Sequence, residues 1–150
     1  MIEKDLIFVA TVGLSDELKE EVWDVIDGLQ DVSTNLRIVS GDHKASAFKT
    51  ARELGITQRE EDVVEGTKLR SDLLQIMKKV PNKDTDQEGR YTYEFNNPDS
   101  TTYFRNVLRK KVKVVYRASS DDKHMFVAAL EKAGVNCAVT GEATNDAGAL

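Results

Sequence analysis

Apolar residues in this chain gather in short β-branched runs, separated by stretches in which they recur every three or four positions. Leu6 to Val12, with Ile7, Val9, Thr11 and Val12 and a stop at Gly13, has the continuous apolar character of a strand buried on both faces. Ser15 and Asp16 can then cap a helix in which Leu18, Val22, Val25, Ile26 and Leu29 form one side and Glu20, Glu21, Asp24 and Asp27 the other, with Trp23 at the stripe's edge. Asn35 to Val39 reads as a second strand. It leads through Ser40, Gly41 and Asp42 into a helix marked by Ala47, Phe48, Ala51 and Leu54 and closed by Gly55. Asp62 to Glu65 reads as a short strand, and Leu69, Leu73, Leu74, Ile76 and Met77 as a helix that ends before Pro81.

From Pro81 to Ser100 the chain is polar and predicts a surface excursion, with a small hairpin strand at Arg90 to Phe95 whose alternation is weak. Tyr103, Phe104, Val107 and Leu108 mark a short helix leading into the strand Val112 to Tyr116. A helix from Asp121 to about Ala133 and a strand from Asn136 to Thr140 complete the pattern, and Ala147 to Leu150 read as the first turn of a further helix. Strands alternating with helices of this length predict an α/β fold: a three-layer, Rossmann-like, mostly parallel sheet with helices on both faces, here incomplete.

The polar residues after three of the runs carry the candidate chemistry. Ser40, Gly41 and Asp42 follow Leu36 to Val39; Asp121, Asp122 and Lys123 follow Val112 to Tyr116; Gly141, Glu142, Asn145 and Asp146 follow Cys137 to Thr140. In open α/β sheets ligands sit outside the carboxyl ends of the strands, so a hydroxyl, an ammonium and several carboxylates would share one crevice. That set suits a phosphoryl group and a magnesium ion. Taken singly, each residue has a plainer reading. Asp42 would serve as a helix cap, Lys123 as a solvated helix residue, Asn145 and Asp146 as a helix start, and His43 and His124 as exposed bystanders.

The 150 residues, of which 40% are apolar, allow one compact domain, and the net charge of -5 argues against a nucleic-acid partner. Arg105, Arg109, Lys110, Lys111 and Lys113 read as a solvated helix end. The single Cys137 excludes an internal disulfide, and its apolar run predicts a buried, inert thiol in a reducing compartment. The apolar stretch Leu6 to Leu14 is far short of the roughly 20 residues needed to span a bilayer. No secretory signal is evident at the amino terminus.

In order and spacing, these clusters resemble the haloacid-dehalogenase-like phosphorylation domain of P-type cation-transporting ATPases, most closely those of plasma-membrane calcium pumps. The family's T-G-D-N pattern is similar to Ser40, Gly41, Asp42 and His43. Its A-R-S-S-P-T-D-K-H resembles Tyr116 to His124, and its V-T-G-D-G-T-N-D-A-P-A-L resembles Val139 to Leu150. The resemblance covers nearly the whole chain apart from the excursion at about 81–100, and makes residues 1–150 a partial phosphorylation domain. It implies that Ser40, Gly41, Asp42, Lys123, Asn145 and Asp146 belong to the catalytic site, with Ser40 and the Gly41 amide on a phosphoryl oxygen and Lys123 neutralising the charge of nucleophile and phosphoryl group, that Asp16 and Lys19 lie in a hinge near the nucleotide, and that Glu142 stands at the magnesium position. ATP as substrate and Mg²⁺ as cofactor follow from the same likeness. So do a cytosolic placement on a membrane pump and, as partners, the nucleotide-binding, actuator and transmembrane parts of that pump.

The family's D-K-T-G-T segment, whose aspartate accepts the phosphoryl group, occurs nowhere in the sequence, so the chain alone is expected to be inactive and to be part of a longer protein. Glu142 and Ala143 replace the family's aspartate and glycine; Glu17, Ser120 and Gly148 replace prolines, and Lys19 replaces an arginine. These departures define the alternative, a degenerate pseudoenzyme or structural subunit that keeps the fold. A free-standing phosphatase would need an aspartate pair after the first strand, where only Asp16 is present.

Overall fold

The computed structural model describes residues 4, 6–14, 17–81 and 91–150. Ser15 and Asp16, the expected helix cap and part of the expected hinge, lie outside them.

Helix α1 (Glu21–Asp31) is followed by strand β1 (Ile38–Val39), helix α2 (Lys44–Glu53), strand β2 (Val63–Glu65) and helix α3 (Gly66–Ile76). Strands β3 (Met77–Pro81) and β4 (Tyr91–Phe95) form a separate antiparallel pair. Helix α4 (Pro98–Tyr103), a π-helical turn (Phe104–Leu108) and α5 (Arg109–Lys111) run on into strand β5 (Val114–Tyr116), and α6 (Ser120–Lys132) follows. The central sheet has the order β1-β5-β2, all parallel.

Its three strands alternate cleanly between two interiors, because successive side chains on a strand point to opposite faces. Val114, in register with Ile38 and Val63, meets Ala47 and Ala51 of α2 on one face. Val115, in register with Val39 and Val64, joins Leu69 and Leu73 of α3 and Met125, Phe126 and Ala129 of α6 on the other. The fold is therefore a small parallel sheet between helical layers, the incomplete Rossmann-like arrangement expected.

Local chemistry explains where the helices stop. After α2 and after α6 the chain turns at Gly55 and Gly134 with φ of +66° and +69°, and Ile56 and Val135 donate back to the carbonyls of Ala51 and Leu130. Only glycine holds that left-handed turn without strain. Asn97 caps α4 by accepting from the Ser100 amide, with Pro98 at the first helical position.

Two expected strands are absent. Leu6 to Val12 forms no strand, and Leu6, Ile7, Phe8 and Val9 are each more than three-quarters exposed. Residues 136–140 are also irregular, and Cys137 is exposed, which overturns the expectation of a buried thiol. A β-branched run supplies the apolar surface of a strand, but a strand also requires a ladder to a neighbour, and neither run forms one among the described residues. The amphipathic helix expected from residue 18 onward does form, as α1, yet it contains no buried residue.

The stretch expected to be a surface excursion contributes to the core. Tyr91, Tyr93 and Phe95 share the inner face of β4, Tyr93 is buried, and Phe95 packs on Phe104, which in turn meets Phe126. Residues 82–90 of that stretch lie outside the described residues.

Candidate functional site

The loops that follow β1 and β5 meet at the carboxyl edge of the sheet. The Ser40 amide donates to the Val115 carbonyl, the Ala118 amide to the Ser40 carbonyl at 2.8 Å, and the Arg117 amide to the Asp42 carbonyl at 2.9 Å. Within the first loop the Ser40 hydroxyl oxygen accepts from the Asp42 amide at 3.1 Å. Asp42 does not cap α2: the capping position falls to His43, which makes no side-chain cap bond, and the Asp42 side chain is exposed. Gly41 is exposed beside the Ala118 carbonyl.

Arg117 takes a positive φ of 49°, uncommon for a side chain with a Cβ. Its guanidinium lies 3.2 Å from the Nδ1 atom of His43 and 3.9 Å from a carboxylate oxygen of Glu65. One arginine thus touches residues that follow β1 and close β2, at the same edge as Ser40. The sequence reading gave Arg117 no role, and its strained backbone is a property of the turn that no residue pattern announces.

The second loop starts α6 with a capping box. The Ser119 hydroxyl accepts from the Asp122 amide, and the Asp122 carboxylate accepts from the Ser119 amide. Asp122 is fully buried, and Arg70 of α3 holds it with two hydrogen bonds, from Nε at 2.6 Å and from a terminal nitrogen at 2.9 Å. Burial works to raise the Asp122 pKa. The Arg70 hydrogen bond and those from Ser119 outweigh it and leave the carboxyl below its ordinary range. The S-x-x-D spacing of the box is a local signal that the sequence reading passed over; the partner 52 residues upstream has no local signal.

Lys123 sits one position on and is buried, so it is not the solvated residue of the plainer reading. Its ammonium donates to Oδ1 of Asp146 at 2.6 Å. Oδ2 of Asp146 accepts from the amides of Glu142 and Ala143, at 3.2 and 3.3 Å, which closes residues 141–146 into a turn. A Cβ on Gly141 would overlap the Asp146 side chain, so this close approach requires glycine. The Lys123 hydrogen bond, followed by that of the Ala143 amide, lowers the Asp146 pKa.

The structure thus joins Ser40, Gly41 and Asp42 to the loop after β5, and separately joins Lys123 to Asp146. Lys19, Glu142 and Asn145 are exposed, and the Lys19 and Asn145 side chains make no hydrogen bond or ion pair among the described residues. Glu142 takes part only through its backbone amide.

As folded, these residues do not fit a magnesium ion. Mg²⁺ requires near-octahedral oxygen ligands. Glu142 offers one carboxylate, both Asp146 oxygens are engaged, and among the described residues no three His, Cys, Asp or Glu side chains converge to hold a metal.

His124 is half-buried, against the expectation of an exposed bystander. The rings of Tyr91 and Tyr93 lie 5.6 and 5.5 Å from it, and Gly148 also packs close to it. The Tyr91 hydroxyl donates to Asp121 at 2.8 Å, which pushes the phenol up to about 12, and the Lys79 ammonium stands over the Tyr91 ring. Burial, assisted by Lys79 and opposed by Asp121, lowers the imidazole pKa below its ordinary value of 6.5. The neutral ring is therefore the form the fold favours. Its contribution to stability is complete above the unfolded value and declines as pH falls through 6.5 toward the lower folded value. The urea midpoint should drop between pH 7 and 5, and His124→Gln should flatten that fall; an equal fall in the variant would remove His124 as its source.

No family model matches the chain. Over 148 residues, 99% of its length, it is 32% identical to calcium-transporting ATPase 8, plasma membrane-type, of Arabidopsis thaliana, and it covers 12% of that protein. It is 28% identical over 148 residues to calcium-transporting ATPase PAT1 of Dictyostelium discoideum, covering 11% of it. With calcium-transporting ATPase 1 of Bacillus cereus it shares 28% over 149 residues, covering 14%. The chain is thus homologous, along almost all of its length, to one segment of calcium-transporting ATPases, and spans about an eighth of the relatives it matches. Among the described residues no helix is long and apolar enough to cross a membrane.

Proposed function

We propose that this chain is the carboxyl-terminal part of the phosphorylation domain of a P-type, calcium-pump-like ATPase, a haloacid-dehalogenase-like domain on the cytosolic side of the pump. The observation that supports it most directly is the Lys123–Asp146 pair, formed between two of the motifs across 23 residues of sequence. Ser40 stands at the same sheet edge as the loop that leads to Lys123.

In the assembled domain, an aspartate of a D-K-T-G-T segment supplied by the rest of the pump attacks the γ-phosphorus of ATP, and ADP departs with the electrons of the broken P–O bond. The Ser40 hydroxyl and the Gly41 amide, which have no acceptor among the described residues, donate to phosphoryl oxygens, and Asp42 helps fix their loop through its own backbone bonds. Lys123 balances the charge that accumulates between nucleophile and phosphoryl group, an electrostatic role characteristic of this chemistry. Asn145 and Asp146 shape the facing turn. Asp16 and Lys19 belong to the nucleotide-side hinge. Magnesium, when bound in the intact pump, would neutralise phosphate charge.

A second reading, a pseudoenzyme or structural subunit, is favoured by Glu142 and Ala143 and by the absence of a nucleophile in the chain. The two readings separate in one assay. A fusion carrying an upstream D-K-T-G-T segment is exposed to γ-labelled ATP and Mg²⁺, then quenched in acid. The pump reading expects acid-stable, hydroxylamine-labile label that is lost in Lys123→Met. A folded fusion that stays unlabelled supports the structural reading.

A further inference from the structure

We infer that Arg117 is a positioning residue for the Ser40 and Gly41 loop, and that it acts through the neutral imidazole of His43, so that protonation of His43 releases the loop. The tether itself rests on contacts in the fold. Only the loop's duty toward phosphoryl oxygens rests on the phosphorylation-domain reading.

Arg117 follows β5 in a left-handed conformation, with φ of 49°, which a residue carrying a Cβ adopts at a cost. Such a conformation persists where its surroundings fix it, and two neighbours do so here. The Arg117 amide donates to the Asp42 carbonyl at 2.9 Å, which ties the turn to the loop after β1. The Arg117 carbonyl packs so closely on Gly66, the first residue of α3, that a Cβ there would come within 2.8 Å of it. From the middle strand the side chain then reaches residues beyond both outer strands.

The terminal nitrogens of its guanidinium take different partners, one 3.2 Å from Nδ1 of His43 and the other 3.9 Å from a Glu65 oxygen. A guanidinium only donates, so Nδ1 must present its lone pair and the ring proton sits on Nε2. A second proton on the ring would set an N–H and a positive charge against the guanidinium. The contact would then break. The Arg117 and Glu65 side chains are 55% and 37% exposed, so their ion pair adds little to global stability. The contacts act locally, on His43, which stands two residues after Gly41 and directly before α2.

The charged groups around His43 are Arg117 from the loop after β5, Glu65 beyond it at the end of β2, and Asp42 and Lys44 along the chain, with Lys44 paired to Glu60. Of these side-chain types only imidazole ordinarily changes charge between about pH 5 and 8. Acidification therefore reaches the tether through one group. In the assembled domain a fixed loop would offer the Ser40 hydroxyl and Gly41 amide to developing phosphoryl charge without reorganisation, and a released loop would not.

The test uses the whole 150-residue chain, labelled with nitrogen-15, and reads backbone order parameters of Gly41 and Asp42 by relaxation. In the native chain they should be about 0.85 near pH 8 and fall toward about 0.6 near pH 5. Arg117→Asn, which tolerates the left-handed turn but lacks the guanidinium, should be low at both pH values with the order of β5 unchanged. His43→Gln, which keeps an acceptor that does not titrate, should make the loop's order independent of pH. Arg117→Gly gives the same comparison should the asparagine variant lose its native spectrum. Equal order at the two pH values in the native chain overturns the inference, as does a folded Arg117 variant with native loop order or a fall with pH that survives in His43→Gln. None of these readings involves ATP, so failure here is distinct from failure of the proposed function.

Discussion

Asp122→Ala should lower the unfolding free energy by about 3 kcal/mol, seen as a fall in urea midpoint without a change in the denaturant slope. The carboxylate it removes is fully buried and receives two hydrogen bonds from Arg70 and two from Ser119. Two losses combine. The Arg70 guanidinium keeps its charge beside a buried surface with only the Ser119 hydroxyl, at 3.0 Å, left to accept from it, and α6 loses half of its capping box. Arg70 is itself 38% exposed, so water recovers part of its solvation, which places the effect at the lower end of the range for broken buried pairs. The pH dependence has a definite sign. The folded pKa lies below the unfolded one, so the stabilisation is present above about pH 4 and lost as pH falls through the folded value. A loss well under 1 kcal/mol would mean that Asp122 is not the buried anchor of α6.

Phe104→Ala should cost about 3–5 kcal/mol, and Phe104→Leu less than about 1.5. Phe104 is fully buried and lies in the π-helical turn between α4 and α5. Its ring stands between Phe95 of β4 and Phe126 of α6, at 5.5 and 6.4 Å between centroids. Removing it opens a cavity where the hairpin, the irregular helix and α6 share one contact. Thermal unfolding of the two variants against the native chain is the direct measurement. Similar small losses in both would show that the hairpin does not dock on the central core.

The parts of the fold that were read from sequence are those whose determinants are local. The α2 stop at Gly55 and the β-branched Val63, Val64, Val114 and Val115 each carry their own physical signal; the α6 stop at Gly134 and the capping box of Ser119 and Asp122 carry equally local signals that went unread. The Leu6 to Val12 and 136–140 runs carry a similar signal but form no strand, because apolar character records a preference for burial and pairing depends on a neighbour elsewhere. The core role of β4 had a usable mark in the Tyr91, Tyr93, Phe95 alternation, outweighed in the reading by the surrounding Asn, Asp and Gly residues.

For the candidate site, the motif letters brought together Ser40, Lys123 and Asp146 in expectation, and the Lys123–Asp146 contact is present in the fold. The Arg70 clamp on Asp122, the Arg117 bridge and the tyrosine packing around His124 were beyond sequence reasoning. Each depends on a backbone turn or on residues tens of positions apart.

The three residues of β5 place Val114 and Val115 in opposite interiors, with strands in register on either side. A single inserted or deleted codon there would exchange the two valines between layers and carry the Arg117 turn and the start of α6, with Lys123, around with them. Change in chain length can therefore be absorbed between elements, whereas the middle strand admits side-chain replacement alone. Any lineage that kept this fold would be expected to show that contrast as a gap-free column at Val114 to Tyr116.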